Sequence, residues 1–299
     1  MKAICVGHST FDTTLPMDHY PVENIKYRIE NHIECGGGPA SNGAYLLAKW
    51  GYDTTIASVI GEDYYADRII RDFTNIGANT EYLEKREGHH TSSSYIIANV
   101  SNGSRTILSS KKKPPVRKLT QDIYDKADVI LVDGEHPETA HQVLDNNQDA
   151  ISVIDAGRLN PDTKMLGKLV TYLVCSKDFA EEFCETKIDY KNHEQLVKCH
   201  QQLEEYFQTN VIITLESNGS FTIIDNEYQR IPSITVKAVD STGAGDIFHG
   251  AFTYFIGNNY PLKDAIRLAS ITAAISVTRI GSRLSIPELK EVLEYDNVI

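Results

Sequence analysis

Short, strand-length apolar runs recur along this chain at Lys2–Val6, Thr54–Ile60, Val129–Val132, Ile151–Ile154, Tyr172–Cys175 and Val211–Leu215. Segments of helical character lie between them: Ala40–Trp50, stopped by Gly51; Asp63–Thr74, with Gly77 just beyond; Glu138–Leu144; a stretch near Phe179–Cys184; and Glu194–Phe207. A strand that is apolar on both faces needs cover on both faces. The alternation therefore predicts an α/β fold with a mostly parallel sheet covered by helices.

Some stretches break that rhythm. Lys26–Glu34 alternates polar and apolar residues, and so do Ser93–Val100 and Arg105–Leu108 around the pair Asn102-Gly103. Asn-Gly between alternating runs is a hairpin signal. These stretches predict a small separate sheet inserted into the main one. The basic run Lys111-Lys112-Lys113-Pro114-Pro115 reads as a solvated linker in preference to a phosphate site.

The 299 residues suffice for one large α/β domain or two modest ones, and 41% hydrophobic with 23% charged residues allows an ordinary core. A net charge of −12 argues against nucleic acid or an anionic membrane as partner, since both need a basic surface. It leaves room for an anionic nucleotide in a local pocket. Five cysteines (Cys5, Cys35, Cys175, Cys184, Cys199) contain no Cys-x-x-Cys pair, so reduced thiols in a cytoplasmic protein are expected. The apolar run at the N-terminus is too short for a signal peptide. Leu268–Val277, broken by Ser270, Thr272 and Ser276, is far short of a membrane span.

Two glycine clusters carry chemistry. The first to weigh is Asp240-Ser241-Thr242-Gly243-Ala244-Gly245-Asp246, followed at once by an apolar, helix-like segment. Small residues opening a helix leave backbone N–H groups unscreened, and the helix dipole adds positive potential, which suits an anion. A carboxylate at the mouth of an anion pocket works against stability. It suits phosphoryl transfer, where a base takes a hydroxyl proton while N–H dipoles hold the moving group. A plain turn capped by Asp is the alternative. The second cluster, Gly36-Gly37-Gly38-Pro39-Ala40-Ser41-Asn42-Gly43-Ala44, opens the Ala40–Trp50 helix. Asn42 offers donors and acceptors to sugar hydroxyls.

Together these clusters resemble the two signatures of the ribokinase-like (PfkB) family of sugar and nucleoside kinases. Gly37 to Ala44 with Gly51 and Gly61 fits the N-terminal signature, and Asp240 to Asp246 the C-terminal one. Ala274 to Pro287, which contains Thr278-Arg279-Ile280-Gly281-Ser282-Arg283, resembles the closing segment. The likeness runs from Val6 to Pro287.

The resemblance implies one ribokinase-like kinase domain over residues 1–299, a doubly wound α/β sandwich. A discontinuous β lid, from about 12–36 and 92–110, would cover the sugar and pair across a homodimer. It implies Asp246 as general base, with Gly243, Ala244 and Gly245 forming an anion hole through the N–H groups of Ala244 and Gly245. Asp12, with Gly37, Gly38, Asn42 and Asp133, would meet the sugar, although a turn-capping Asp12 is the bland alternative. Thr214, Ser217 and Gly219 match the nucleotide loop, and Ser270 falls on the adenine side. Asp240, Thr242, Ser276, Arg279, Gly281 and Ser285 match a monovalent-cation site, for K⁺, built mostly from carbonyls. Mg²⁺ is expected with ATP, bridging phosphates.

Departures from the family are equally readable. Ser176-Lys177-Asp178-Phe179 stands where many members carry Asn-x-x-Glu. That stretch, with Gly103-Ser104-Arg105-Thr106, resembles the ketohexokinase branch, in which Arg105 would reach the phosphate region; a solvated hairpin arginine is the alternative. Pro39 replaces a sugar-binding Asn of that branch. The expected activity is ATP-dependent phosphorylation of a primary hydroxyl on a monosaccharide, a ketose or related sugar acid. A nucleoside kinase and a non-catalytic sugar-binding regulator are the competing readings.

Overall fold

The computed structural model describes residues 1–111 and 118–297, so Lys112 to Pro115 of the basic run lie outside the described residues. In chain order the elements are β1 (Lys2–Val6), β2 (Thr10–Met17), β3 (Ile33–Gly37), α1 (Pro39–Lys49), β4 (Asp53–Gly61), α2 (Tyr64–Asn75), β5 (Leu83–Arg86), β6 (Ser92–Asn99) and β7 (Ser104–Ser110). They continue with β8 (Val129–Val132), α3 (Pro137–Asn146), β9 (Ile151–Ala156), α4 (Pro161–Leu166), β10 (Tyr172–Ser176), α5 (Lys177–Phe183), α6 (His193–Phe207) and β11 (Asn210–Thr214). The last are β12 (Ser220–Ile224), β13 (Glu227–Ile231), α7 (Ala244–Gly257), α8 (Leu262–Ser276) and α9 (Leu289–Asp296).

The main sheet has the order β13-β12-β11-β10-β9-β8-β1-β4-β5. Its pairings are parallel from β5 to β11 and antiparallel only at β11–β12 and β12–β13. The apolar runs explain the layering. Ala3 and Cys5 of β1 face one core while Ile4 and Val6 face the other, and Val129 and Leu131 of β8 oppose Ile130 and Val132 in the same way. Helices α1, α7 and α8 fill the first core, and α3 and α6 the second. Period-two alternation between two apolar layers is what a continuous apolar strand means.

The second sheet, β3-β2-β6-β7, pairs β2 with β6 in parallel and the other neighbours antiparallel. The Asn102-Gly103 turn joins β6 to β7, as expected, with Gly103 at φ 74 and Asn102 Oδ1 accepting from Ser104 N at 2.9 Å. The expected strand at Lys26–Glu34 is corrected. Only Ile33 and Glu34 of that run belong to β3, which continues through Gly36 and Gly37 paired with Phe11 and Thr10. Lys26–His32 has no strand, and all of it but Tyr27 is exposed, so its alternation has no core to face. The first strand of this sheet, β2, carries Asp12.

Candidate active site

Helix α7 begins at a forced geometry. Its N-cap, Gly243, has φ 76, and a Cβ there would lie 2.8 Å from Ser282 Cβ, so only glycine fits. The first turn points N–H groups outward. Ala244 N makes a long turn bond of 3.4 Å to Ser241 O, while the amides of Gly245 and Asp246 meet no acceptor among the described residues. Gly245 is exposed, with open space where a Cβ would stand. This turn opens a 14-residue helix, and free N–H groups at a helix start are chemically suited to an anion.

Asp246, in that turn, accepts from Asn42 Nδ2 at 2.8 Å. Asn42 is fully buried on α1, whose N-cap Gly38 has φ 98 and whose first residue is Pro39. A Cβ on Gly38 would strike His8 O at 2.3 Å, which fixes how closely α1 approaches β1. Burial first, and then the charge of Asp155, push the Asp246 carboxyl up to about 6, against Asn42, His249 and Arg105. Asp12 converges from β2. Burial and then Asp246 push it up to about 6 as well, against hydrogen bonds that include Ser282. Gly37 makes room for it, since a Cβ there would lie 2.0 Å from Asp12 Oδ2. Two carboxylates that each resist ionisation, one from the first turn of α7 and one from β2 of the small sheet, therefore lie in one neighbourhood.

Asp133 is held by backbone amides. Its Oδ2 accepts from His8 N at 2.8 Å and Ala40 N at 3.0 Å, and its Oδ1 from Glu135 N at 3.0 Å. The carboxylate ties β1, α1 and the end of β8 together, so most of its accepting capacity is already engaged by backbone. Burial and Glu135 push it up to about 7 against those three amides.

Arg105, on β7, donates from Nη1 to Ser241 Oγ at 2.8 Å, and Ser241 Oγ donates to Gly103 O at 2.9 Å. The tip of the β6–β7 hairpin is thereby seated on the loop that precedes α7. Asp240, buried, accepts from Thr242 N and Gly281 N, both at 2.9 Å, and so bridges that loop to the turn after α8. Thr242 Oγ1 is buried with no hydrogen-bond partner among the described residues. Ser276 and Ser285 hydroxyls bond nearby carbonyls, and the Arg279 side chain pairs with Glu291.

The expected nucleotide residues lie at the end of β11, in the turn that follows it and in α8. Thr214 ends β11 with Oγ1 on Cys175 O at 3.2 Å, and Ser217 lies in a single 3₁₀ turn. Gly219 has φ 91, and a Cβ there would lie 2.0 Å from Ile231 O. Ser270 is buried in α8 with Oγ on Ile266 O at 2.9 Å. Among the described residues no three His, Cys, Asp or Glu side chains cluster to hold a metal, and no helix is long and apolar enough to cross a membrane.

Sequence reasoning missed three residues. His249, one turn after Asp246 on α7, places Nδ1 2.6 Å from Gly245 O and 3.0 Å from Asp155 Oδ2, with Nε2 3.1 Å from Val174 O. All three neighbours are acceptors, so both ring nitrogens carry hydrogen. Burial opposes the charge, but Asp155 and the two carbonyls outweigh it and push His249 up to about 9. The i, i+3 spacing from Asp246 was the available signal. The third residue, Arg283, is buried behind Asn42.

A mostly parallel sheet flanked by helices, with a small second sheet beside it, is the ribokinase fold. The chain belongs to the pfkB family of carbohydrate kinases, whose model matches residues 2–289, and it is an ATP-dependent phosphotransferase. It is similar to a deoxyribokinase of Salmonella typhi, 26% identical over 298 residues that cover 96% of this chain and 94% of the relative. It is similar also to a ribokinase of Staphylococcus aureus, 27% identical over 314 residues, 97% of this chain and 98% of the relative. The structure of an Arabidopsis thaliana ribokinase complexed with ribose and ATP shares the fold, with a TM-score of 0.77 and 21% identity over 98% of this chain and 97% of that one.

Proposed function

We propose that the protein transfers the γ-phosphoryl group of ATP to a primary hydroxyl of a monosaccharide, with Asp246 as general base. The observation that carries this reading is the Asp246 carboxylate held by Asn42 beside the open first turn of α7. In the ionised form Asp246 takes the hydroxyl proton as the sugar oxygen bonds to the γ-phosphorus and the bond to ADP breaks. The N–H groups at Ala244, Gly245 and Asp246 hold the phosphoryl oxygens, and Gly243 lets the chain turn there. Asp12 accepts sugar hydroxyls, and Gly37, Gly38 and Asn42 let the sugar lie close to the backbone. The small sheet would close over the sugar, and its exposed β7 edge would pair with a second copy. Asp133 supports this site through the backbone of His8 and Ala40.

The adenine end would lie along Thr214, Ser217, Gly219 and Ser270. Mg²⁺ would enter on the phosphates, where it neutralises developing charge. For K⁺, the unpartnered Thr242 Oγ1 beside Asp240 and the Gly281 turn suits an oxygen-ligated cation. The ribokinase and deoxyribokinase relatives support a sugar acceptor. The Ser176-Lys177-Asp178 stretch and Arg105 support a ketose of the kind used by the ketohexokinase branch. ATP consumption across ribose, deoxyribose, ketoses, sugar acids and nucleosides tests the reading. Preferred turnover of a monosaccharide is expected. Preferred turnover of a nucleoside would overturn the sugar assignment.

A further inference from the structure

We infer that Arg283 is a positioning residue: by donating to Asn42 Oδ1 it fixes the hand of that amide, so that Nδ2 and not Oδ1 meets Asp246. A guanidinium carries only donors, and an ionised carboxylate only acceptors. Arg283 Nε lies 3.4 Å from Asn42 Oδ1, and Asn42 Nδ2 lies 2.8 Å from Asp246 Oδ2. The amide is nearly symmetric in shape, so a flip would meet little steric resistance. It would place oxygen against the carboxylate. Arg283 removes that choice from behind.

The arginine is built into place. It is 2% exposed, with Nη2 2.6 Å from Ser41 Oγ and its guanidinium over the rings of Phe73 and Tyr45 at 4.7 and 5.1 Å. Asp72 Oδ2, 3.7 Å from Nη1, supplies countercharge. A Cβ on Gly36 would lie 2.0 Å from Nη1, so the glycine loop runs bare across the guanidinium. Burying a cation is costly, and here its hydrogen bonds go to Ser41 and Asn42 of α1 while α2 supplies Asp72 and Phe73. The charged groups facing Asp246 are Asp155 on β9, His249 on α7 and Arg105 on β7, with Asp12 opposite on β2. Arg283 acts on Asp246 through Asn42.

The functional meaning rests on Asp246 as base, but the test needs no turnover. The full chain, labelled with ¹³C in Asp carboxyls, is titrated without ligand, and the Asp246 signal is assigned by its loss in D246N. The wild-type midpoint is expected near 6. In R283Q, where Gln can both donate and accept, it rises by about one unit. In R283K, still donor-only, it stays at the wild-type value. In an Asn42→Ala background R283Q adds nothing further. An unmoved R283Q midpoint, an equal rise in R283K, or a shift that persists without Asn42 overturns the proposal. If the variants fail to fold, the wild-type Asn42 side-chain amide protons decide it: they must shift with the Asp246 titration, and protons that ignore it refute the contact. A general-base failure would appear in turnover of D246N and leave these titrations standing.

Discussion

Asn42 Nδ2 donates to Asp246 Oδ2 at 2.8 Å, joining residues 204 positions apart and linking the start of α1 to the start of α7. The contact stabilises the ionised carboxylate at a site where burial opposes ionisation. Asn42→Ala should therefore raise the Asp246 midpoint above about 6 and shift the acid limb of kcat upward with it, while thermal stability falls by about 1–3 kcal/mol for the lost buried hydrogen bond. An acid limb that stays in place would deny the contact its electrostatic role.

The wild-type pH dependence has a definite sign. As the proposed base Asp246 must be ionised, and its carboxyl is pushed up to about 6. kcat/KM should fall as pH drops through that value and level off above it. A flat profile down to pH of about 5 would mean that another group limits the rate.

Much of this was legible in the sequence, for physical reasons. Apolar runs such as Val129–Val132 have one interpretation once helices flank them, and Asn102-Gly103 has one once alternating strands flank it. Lys26–His32 misled because alternation records only that a face could be buried, not that a partner exists. β2 was hidden because Asp12 and Pro16 interrupt an otherwise strand-like segment. Arg283 and Asp155 carry no local pattern, because their partners Asn42 and His249 are brought to them only by the folded sheet and helices.

His249 gives a stability prediction. Its folded value, about 9, lies above the ordinary 6.5, so the ion pair with Asp155 contributes fully below about 6.5 and is lost as pH rises through about 9. The shift corresponds to a contribution on the order of 3 kcal/mol. His249→Gln should lower Tm at pH 7 and narrow its gap to wild type as pH approaches 10. A gap that is constant over that range would show that His249 is neutral in the fold.

The two glycines at the start of α7 should behave oppositely. Gly243→Ala forces a Cβ at φ 76 into Ser282 and should cost stability of about 1–3 kcal/mol. Gly245→Ala meets open space, so stability should change little while turnover falls as the methyl screens the helix start. Urea unfolding and initial rates on both variants separate the effects. Equal destabilisation would contradict the geometry.

Turnover of Asp246→Asn tests the central claim most directly. The substitution keeps shape and should preserve folding and ATP binding, while kcat with the preferred sugar falls by at least about 10²-fold, as for loss of a positioned base. A folded Asp246→Asn enzyme with near-normal kcat would contradict the assignment of Asp246 as the base.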